Sequence, residues 1–214
     1  MFYIKNGLVK NDIAMLHEFS EDTIKSDDVL TALFARIKKD SSLFKHSVNV
    51  ASISAVIGAV YNFNLDELIS IYVGSLFHDV GKLNLNNRIL YKAGAFTNDE
   101  RIYTETHTTI GYKLIKDTIL NPISIDIVRS HHEKLDGSGY PSSLDRKDIT
   151  IYTQIVTVAD MFEAMTSDRC YRPALSEDEV YDIMSNDKGI NQIAVRILKE
   201  NIAIREQQFA VCYS

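Results

Sequence analysis

With 214 residues, 45% of them apolar, nine glycines and three prolines, the chain can bury one large core and favours long helices over many turns. Its 23 basic and 29 acidic residues leave a formal charge of -6. That charge argues against a non-specific DNA binder and against attraction to an anionic membrane, but not against a small anion held by a local site. Cys170 and Cys212 are the only cysteines, too few for a disulfide framework, so a reducing cytoplasmic location is expected.

In chain order, Phe2 to Lys10 holds two short β-prone pieces around Asn6-Gly7, a pair suited to a type I′ hairpin; a structureless leader fits as well. Charges interrupt this stretch where a secretory segment would be apolar, so no signal peptide is expected. From Asp12 to Lys39 the pattern is helical, with Leu30, Leu33, Phe34 and Ile37 on one face. Residues 1–40 are therefore set apart as an N-terminal appendage. It could be a helical cap on the core, a dimerising helix or the remnant of an input module, and it is the expected contact for a homodimer or a regulatory protein. Residues 41–214 are read as one all-α domain.

Phe44 to Phe63 reads as a central helix, apolar nearly all round, with His46 in its first turn. The uncharged run from Ser47 to Leu65 is nearly long enough to cross a bilayer, but its asparagines and serines mark a core helix instead. Asp66 to His78 forms the next helix, capped by Asn64 or Asp66 and ended near Gly81. A polar connection follows, and Thr97 with Glu100 forms a capping box. His107 opens a helix to about Lys116, and Pro122 opens one that ends at His131-His132-Glu133. Asp136, Gly137, Gly139 and Pro141 make a tight loop. Ile149 to Met165 is an apolar helix containing Asp160. Ser176 with Glu179 is a second capping box, and Asn191 to about Gln207 is amphipathic.

The chemistry lies in scattered donors. Taken singly, each has an ordinary reading: His46 as a satisfied core histidine, His107 as a cap, His131-His132 as a charged helix C-terminus, His78-Asp79 as a solvated turn. Asp160 is harder to dismiss, because a buried carboxylate needs a cation or strong donors. A two-metal site accounts for all of them together, with Asp79 as the bridge. His46, His78 and Asp160 would complete one metal, and His107, His131 and His132 the other. Two cations roughly 3.5–4 Å apart would hold a bridging hydroxide for in-line attack on a phosphodiester. Lys82, one turn beyond His78, could donate to a phosphate or leaving oxygen.

Several stretches carry a family resemblance: KHS (Lys45 to Ser47), LFHDVGK (Leu76 to Lys82), His107 with Ile110-Gly111, HHEKLDGSGYP (His131 to Pro141), VAD (Val158 to Asp160) and TSDRCYR (Thr166 to Arg172). Together they resemble the HD-GYP branch of the HD phosphohydrolases. The resemblance implies hydrolysis of a cyclic dinucleotide, chiefly cyclic di-GMP, to linear product or GMP. It implies divalent metals, with iron or manganese first and zinc, cobalt or nickel as further candidates. The family's ligands fall on His46, His78, Asp79, His107, His131, His132 and Asp160, and its catalytic lysine on Lys82. Its ligand contacts fall on Tyr140, Arg169 and Arg172, with Gly137 and Gly139 giving a positive-φ loop near the ligand. Three-metal members carry a glutamate where this chain has Ser42, so two metals are expected. Leu135, Gln154 and Glu163 also depart from the common pattern, which leaves room for a catalytically weak or silent binding module.

Overall fold

The computed structural model describes residues 10–168 and 173–201. Within them are α1 (Lys10–Lys25), α2 (Asp28–Lys39), α3 (Ser41–Val60), α4 (Leu65–Phe77), α5 (Asn87–Leu90), α6 (Asn98–Glu105), α7 (His107–Ile115), α8 (Pro122–Ser130), α9 (Ile151–Thr166), α10 (Glu177–Asn186) and α11 (Gln192–Glu200). Two short 3-10 turns, Val80–Asn84 and Arg146–Asp148, complete the regular structure, and the described residues contain no strand. The fold is all-α, as the sparse glycine and proline imply. The Asn6-Gly7 hairpin and the tail to Gln207 lie outside the described residues, the tail beyond α11 and Asn201.

Side-chain caps set most helix starts. The expected capping boxes are present at Thr97 with Glu100 and Ser176 with Glu179, and the Asn64 cap forms a third box with Glu67. Besides shifts of two or three residues at the end of α3 and the start of α9, two helix starts differ from expectation. The helical stretch from Asp12 to Lys39 breaks in two because Asp27 accepts from the backbone N–H of Val29 and Leu30 and starts α2. Asp40 does the same for Leu43, so α3 begins at Ser41 rather than Phe44 and His46 falls in its second turn.

Helix α3 is apolar all round because it has neighbours on both sides. Val48, Ala51, Ala55, Val56 and Ala59 belong to one core cluster with Tyr72, Leu76 and Phe77 of α4. Val50, Ile53 and Ile57 belong to a second, with Ile155, Val158 and Phe162 of α9 and residues of α10 and α11. The helix is long and apolar enough to cross a membrane, yet 83% of its apolar window is buried inside the protein. Helices α1 and α2, set apart in the sequence as an appendage, share the first cluster through Ile13, Leu16, Ile24, Leu30, Leu33, Phe34 and Ile37. Each such side chain is worth about 1.5–3 kcal/mol on burial, so these helices are integral to that core.

One contact places the two halves of the site. The turn Val80–Asn84, which carries Lys82, packs on the N-terminus of α7, which begins at His107. A Cβ on Gly81 would lie 1.9 Å from the His107 carbonyl oxygen and 2.7 Å from the Gly111 nitrogen. Only hydrogen fits, and the obstacle is backbone that cannot rotate away. Gly81→Ala is therefore expected to destabilise the protein by about 3 kcal/mol, the upper end of the overpacking range. A urea midpoint equal to the parent's would show that α7 moves aside freely.

Candidate metal centre and active site

Five helices bring the predicted donors together at one end of α3. His46 comes from α3. His78 caps the C-terminus of α4, and Asp79 follows it. His107 opens α7. His131 and His132 follow α8, and Asp160 lies in α9. His46, His78, Asp79, His107 and His131 are each at most 6% exposed.

The orientation of the imidazoles decides what the cluster can hold. His78 Nδ1 is 2.7 Å from the Ser75 carbonyl oxygen, His107 Nδ1 is 2.6 Å from that of Thr104, and His131 Nδ1 is 3.1 Å from that of Ile127. A carbonyl only accepts, so each Nδ1 carries the proton and each Nε2 presents a lone pair. The lone pairs of His78, His107 and His131 face Asp79, an acceptor. His107 Nε2 is 3.3 Å and His131 Nε2 3.9 Å from Asp79 Oδ1. On the other side His78 Nε2 is 3.4 Å and His46 Nε2 3.5 Å from Asp79 Oδ2, and His46 Nε2 is 3.1 Å from Asp160 Oδ1. Asp79 Oδ1 is buried without a hydrogen-bond partner among the described residues. Acceptor facing acceptor in a buried space is costly unless a cation sits between them. The two Asp79 oxygens face different histidine sets, as a bridging carboxylate would. His132 reaches Asp160 Oδ2 through Nδ1 at 3.8 Å. Asp79, His107, His131 and His132 form one donor group close enough for a shared ion, and His46, His78 and Asp79 form another. The cluster can therefore bind metal through mixed nitrogen and oxygen donors, a set that suits borderline first-row cations.

Without a cation the charges are arranged unevenly. Burial resists charging His46, but hydrogen bonds to Asp160, Asp79 and Glu163 outweigh it and hold the ring well above its ordinary value. Burial drops His107 to about 4 and His132 to about 3, and takes His131 well below its usual range. Burial also opposes ionisation of Asp79 and Asp160. For Asp79, Lys82 and the histidines more than offset that; for Asp160, His46, His78 and His132 do so, and both carboxyls stay ionised.

A pH dependence follows for metal-free protein. Below the ordinary histidine value of 6.5 the unfolded chain takes up protons that native His107, His131 and His132 refuse. His46 is protonated in both states across that window and adds no slope. The depressed carboxylates add theirs only below their ordinary values near 4. Chelator-treated protein should thus lose stability as pH falls from 6.5 towards 4, each of the three histidines adding up to about 1.4 kcal/mol per pH unit. Thermal melts at pH 7 and pH 5 check this, and equal midpoints would mean that these rings are not held neutral.

Two acidic residues have roles that the sequence reading did not assign. Glu163 in α9 is 4% exposed and hydrogen-bonds His46 Nδ1, while also accepting from Asn49 Nδ2 at 3.1 Å and Ser167 Oγ at 2.8 Å. It fixes His46 with Nε2 inward, and its own carboxyl falls to about 2: burial opposes this, but the hydrogen bond from His46 prevails. Its i+3 spacing from Asp160 was the available signal. Glu163→Gln should weaken metal affinity about 10–100-fold. Chelator competition reads this, and an unchanged constant would show that His46 needs no acidic support. Glu133, also buried, accepts from the backbone N–H of Ser142 at 2.6 Å and Leu144 at 2.9 Å, clamping the loop beyond the histidine pair.

The loop glycines divide their work differently from expectation. Gly137 has φ +77, but Gly139 has no positive φ; a Cβ there would lie 2.3 Å from the Lys134 nitrogen. Neither lines the cleft over the cluster. They shape the loop that presents Tyr140, whose ring lies 4.7 Å from that of His132. Lys82 Nζ ion-pairs with Asp79 Oδ2. Lys82 and Tyr140 line a cleft of about 810 Å³ together with His46, Asp79, His107 and His132, a size that suits a small-molecule ligand. Arg169 and Arg172 lie outside the described residues.

A family profile described as HD domain matches residues 32–192. The chain belongs to the HD domain family. Its HHEKLDGSGYP stretch puts it in the HD-GYP branch. This HD domain is 29% identical over 170 residues to 3'3'-cGAMP-specific phosphodiesterase 1 of Vibrio cholerae, covering 79% of this chain and 39% of that one. It is 32% identical over 145 residues to a cyclic di-GMP phosphodiesterase of Thermotoga maritima, covering 67% and 39%. It thus spans well under half the length of these curated relatives. Its fold is similar to that of an HDG"Y"P protein from Bdellovibrio bacteriovorus, with a TM-score of 0.63 at 17% identity, covering 74% of this chain and 51% of that one.

Proposed function

We propose that this HD domain hydrolyses a phosphodiester bond of a cyclic dinucleotide, cyclic di-GMP before the mixed guanine–adenine form. The observation that carries the reading is the set of inward imidazole lone pairs facing Asp79 within hydrogen-bonding range, with Asp79 Oδ1 left without a partner. The donors fit two divalent cations, iron or manganese first. His46, His78, Asp79 and Asp160 would hold one, and Asp79, His107, His131 and His132 the other. Such cations, when bound, lower the pKa of water and offset charge on phosphate.

The chain's own residues do the rest. Ser75, Thr104, Ile127 and Glu163 hold the rings of His78, His107, His131 and His46 in place before the site fills. Lys82 stands at the cleft wall beside Asp79, placed to donate to a phosphate oxygen or to the departing one. Tyr140, its ring tilted against that of His132, gives the cleft an aromatic face. The phosphodiesterase names of the relatives support the reaction class.

The test is anaerobic purification, elemental analysis, and incubation with cyclic di-GMP and 3'3'-cGAMP. The expected result is two cations per chain and a linear dinucleotide or GMP as product. Absence of turnover on every cyclic dinucleotide, in both reduced and oxidised metal states, would reject the reaction.

A further inference from the structure

The cleft extends well beyond the cluster. Away from the histidines its wall is made by the end of α2, the start of α3, α5 and the segment before α6. That part holds two cations, Arg36 and Lys39, and two half-exposed rings, Tyr91 and Phe96. Sequence reasoning assigned none of them a role.

We infer that this far end is a second subsite, in which Arg36 and Lys39 take the distal phosphate of a cyclic dinucleotide and Phe96 stacks on its base. The inference rests on the function proposed above. A cyclic dinucleotide carries two phosphodiesters and two bases in one closed ring. With one phosphate at the cluster, the other must lie elsewhere in the same cleft, without the metals. On a chain of net charge -6, a second anion needs local cations. Lys82 is paired with Asp79 and serves the phosphate at the cluster, which leaves Arg36 and Lys39 as the described cleft-lining cations free of any ion pair among the described residues.

Arg36 is positioned in advance. Its Nη2 donates to the Leu83 carbonyl oxygen at 3.0 Å and to Asn84 Oδ1 at 3.1 Å. Both partners belong to the turn that carries Lys82, so one rigid element orients the cation of each half. The remaining guanidinium nitrogens can still fork onto a phosphate. The acid at this end, Asp40, is already engaged: it caps α3 through the Leu43 N–H and accepts from the Tyr91 hydroxyl. It therefore holds the Tyr91 ring in the wall. Phe96 is 39% exposed and stacks on no other ring among the described residues, so one of its faces is open to a base. Base–aromatic stacking tolerates any base, so this subsite favours dinucleotides over mononucleotides without choosing guanine or adenine.

Calorimetric titration of metal-loaded protein with a slowly hydrolysed phosphorothioate analogue of cyclic di-GMP, and separately with GMP, tests this. Arg36→Ala, Lys39→Ala and Phe96→Ala should each lower the ratio of dinucleotide to mononucleotide affinity about ten-fold, the size of one charge-assisted hydrogen bond or one stacked base. The Lys39 side chain makes no hydrogen bond or ion pair among the described residues, so its variant stays informative if Arg36→Ala disturbs the Lys82 turn. A ratio within about two-fold of the parent's in both Lys39→Ala and Phe96→Ala overturns the subsite. Hydrolysis by the parent alongside such an unchanged ratio would sink the subsite alone. A lowered ratio without hydrolysis would support the subsite and sink the hydrolase reading, and a parent that binds no analogue would sink both.

Discussion

Asp79→Ala is expected to strip the protein of bound metal and to cut hydrolysis of a cyclic dinucleotide about a thousand-fold or more, the several kcal/mol that bound cations supply. The reason is the placement of its two oxygens. One faces His107 and His131, the other His46 and His78. Asp160 also approaches both sets, His46 and His78 on one side and His131 and His132 on the other, but no ion pair among the described residues joins it to His107, and Asp79 is the member common to the two donor groups built on His46 and on His107. Deleting the side chain thus removes a ligand from both groups at once. Elemental analysis beside far-UV circular dichroism separates metal loss from unfolding. A folded variant that still carries two cations per chain would refute the bridging role.

Lys82→Ala is expected to do the opposite to the metals and nearly as much to the rate. The side chain is about a quarter exposed and touches the donor set only through Asp79 Oδ2. Removing it leaves every imidazole and carboxylate in place, so cation content should stay at the parent's value. If Lys82 delivers a proton or a hydrogen bond to the reacting phosphate, kcat should fall about 10²–10⁴-fold, the usual worth of a placed general acid. Single-turnover rates on metal-replete protein measure this. A rate within about three-fold of the parent would assign Lys82 to structure alone. A loss of cations would mean that its charge chiefly holds Asp79 in place.

Much of this could be read before any coordinates. The boxes at Thr97 and Ser176 follow from residues three apart, and the four-residue apolar face of α2 from a 3.6-residue period; both are local rules. Where the reading slipped, a competing local feature prevailed. Asp27 and Asp40 start helices that apolar periodicity alone ran together or began too late. Gly139 was taken for a backbone-conformation glycine, yet its absent side chain makes room for a neighbouring strand of chain, and no periodicity reports such a distance.

The donor residues themselves were legible because histidine and buried aspartate are conspicuous in an apolar sequence. For His78, His107 and His131 even the ring orientation is a local matter. Each proton goes to a carbonyl three or four residues back on its own stretch of chain, so the sequence by itself settles which nitrogen is left for a metal. His46 is different. Its partner, Glu163, lies 117 residues away, and only the packing of α9 against α3 brings the two together. The same holds for the cleft wall, where α2 and the segment before α6 meet across the Lys82 turn. Short-range hydrogen bonding is written into neighbouring residues, whereas the meeting of distant side chains depends on how apolar helix faces stack, and that became visible only in the folded chain.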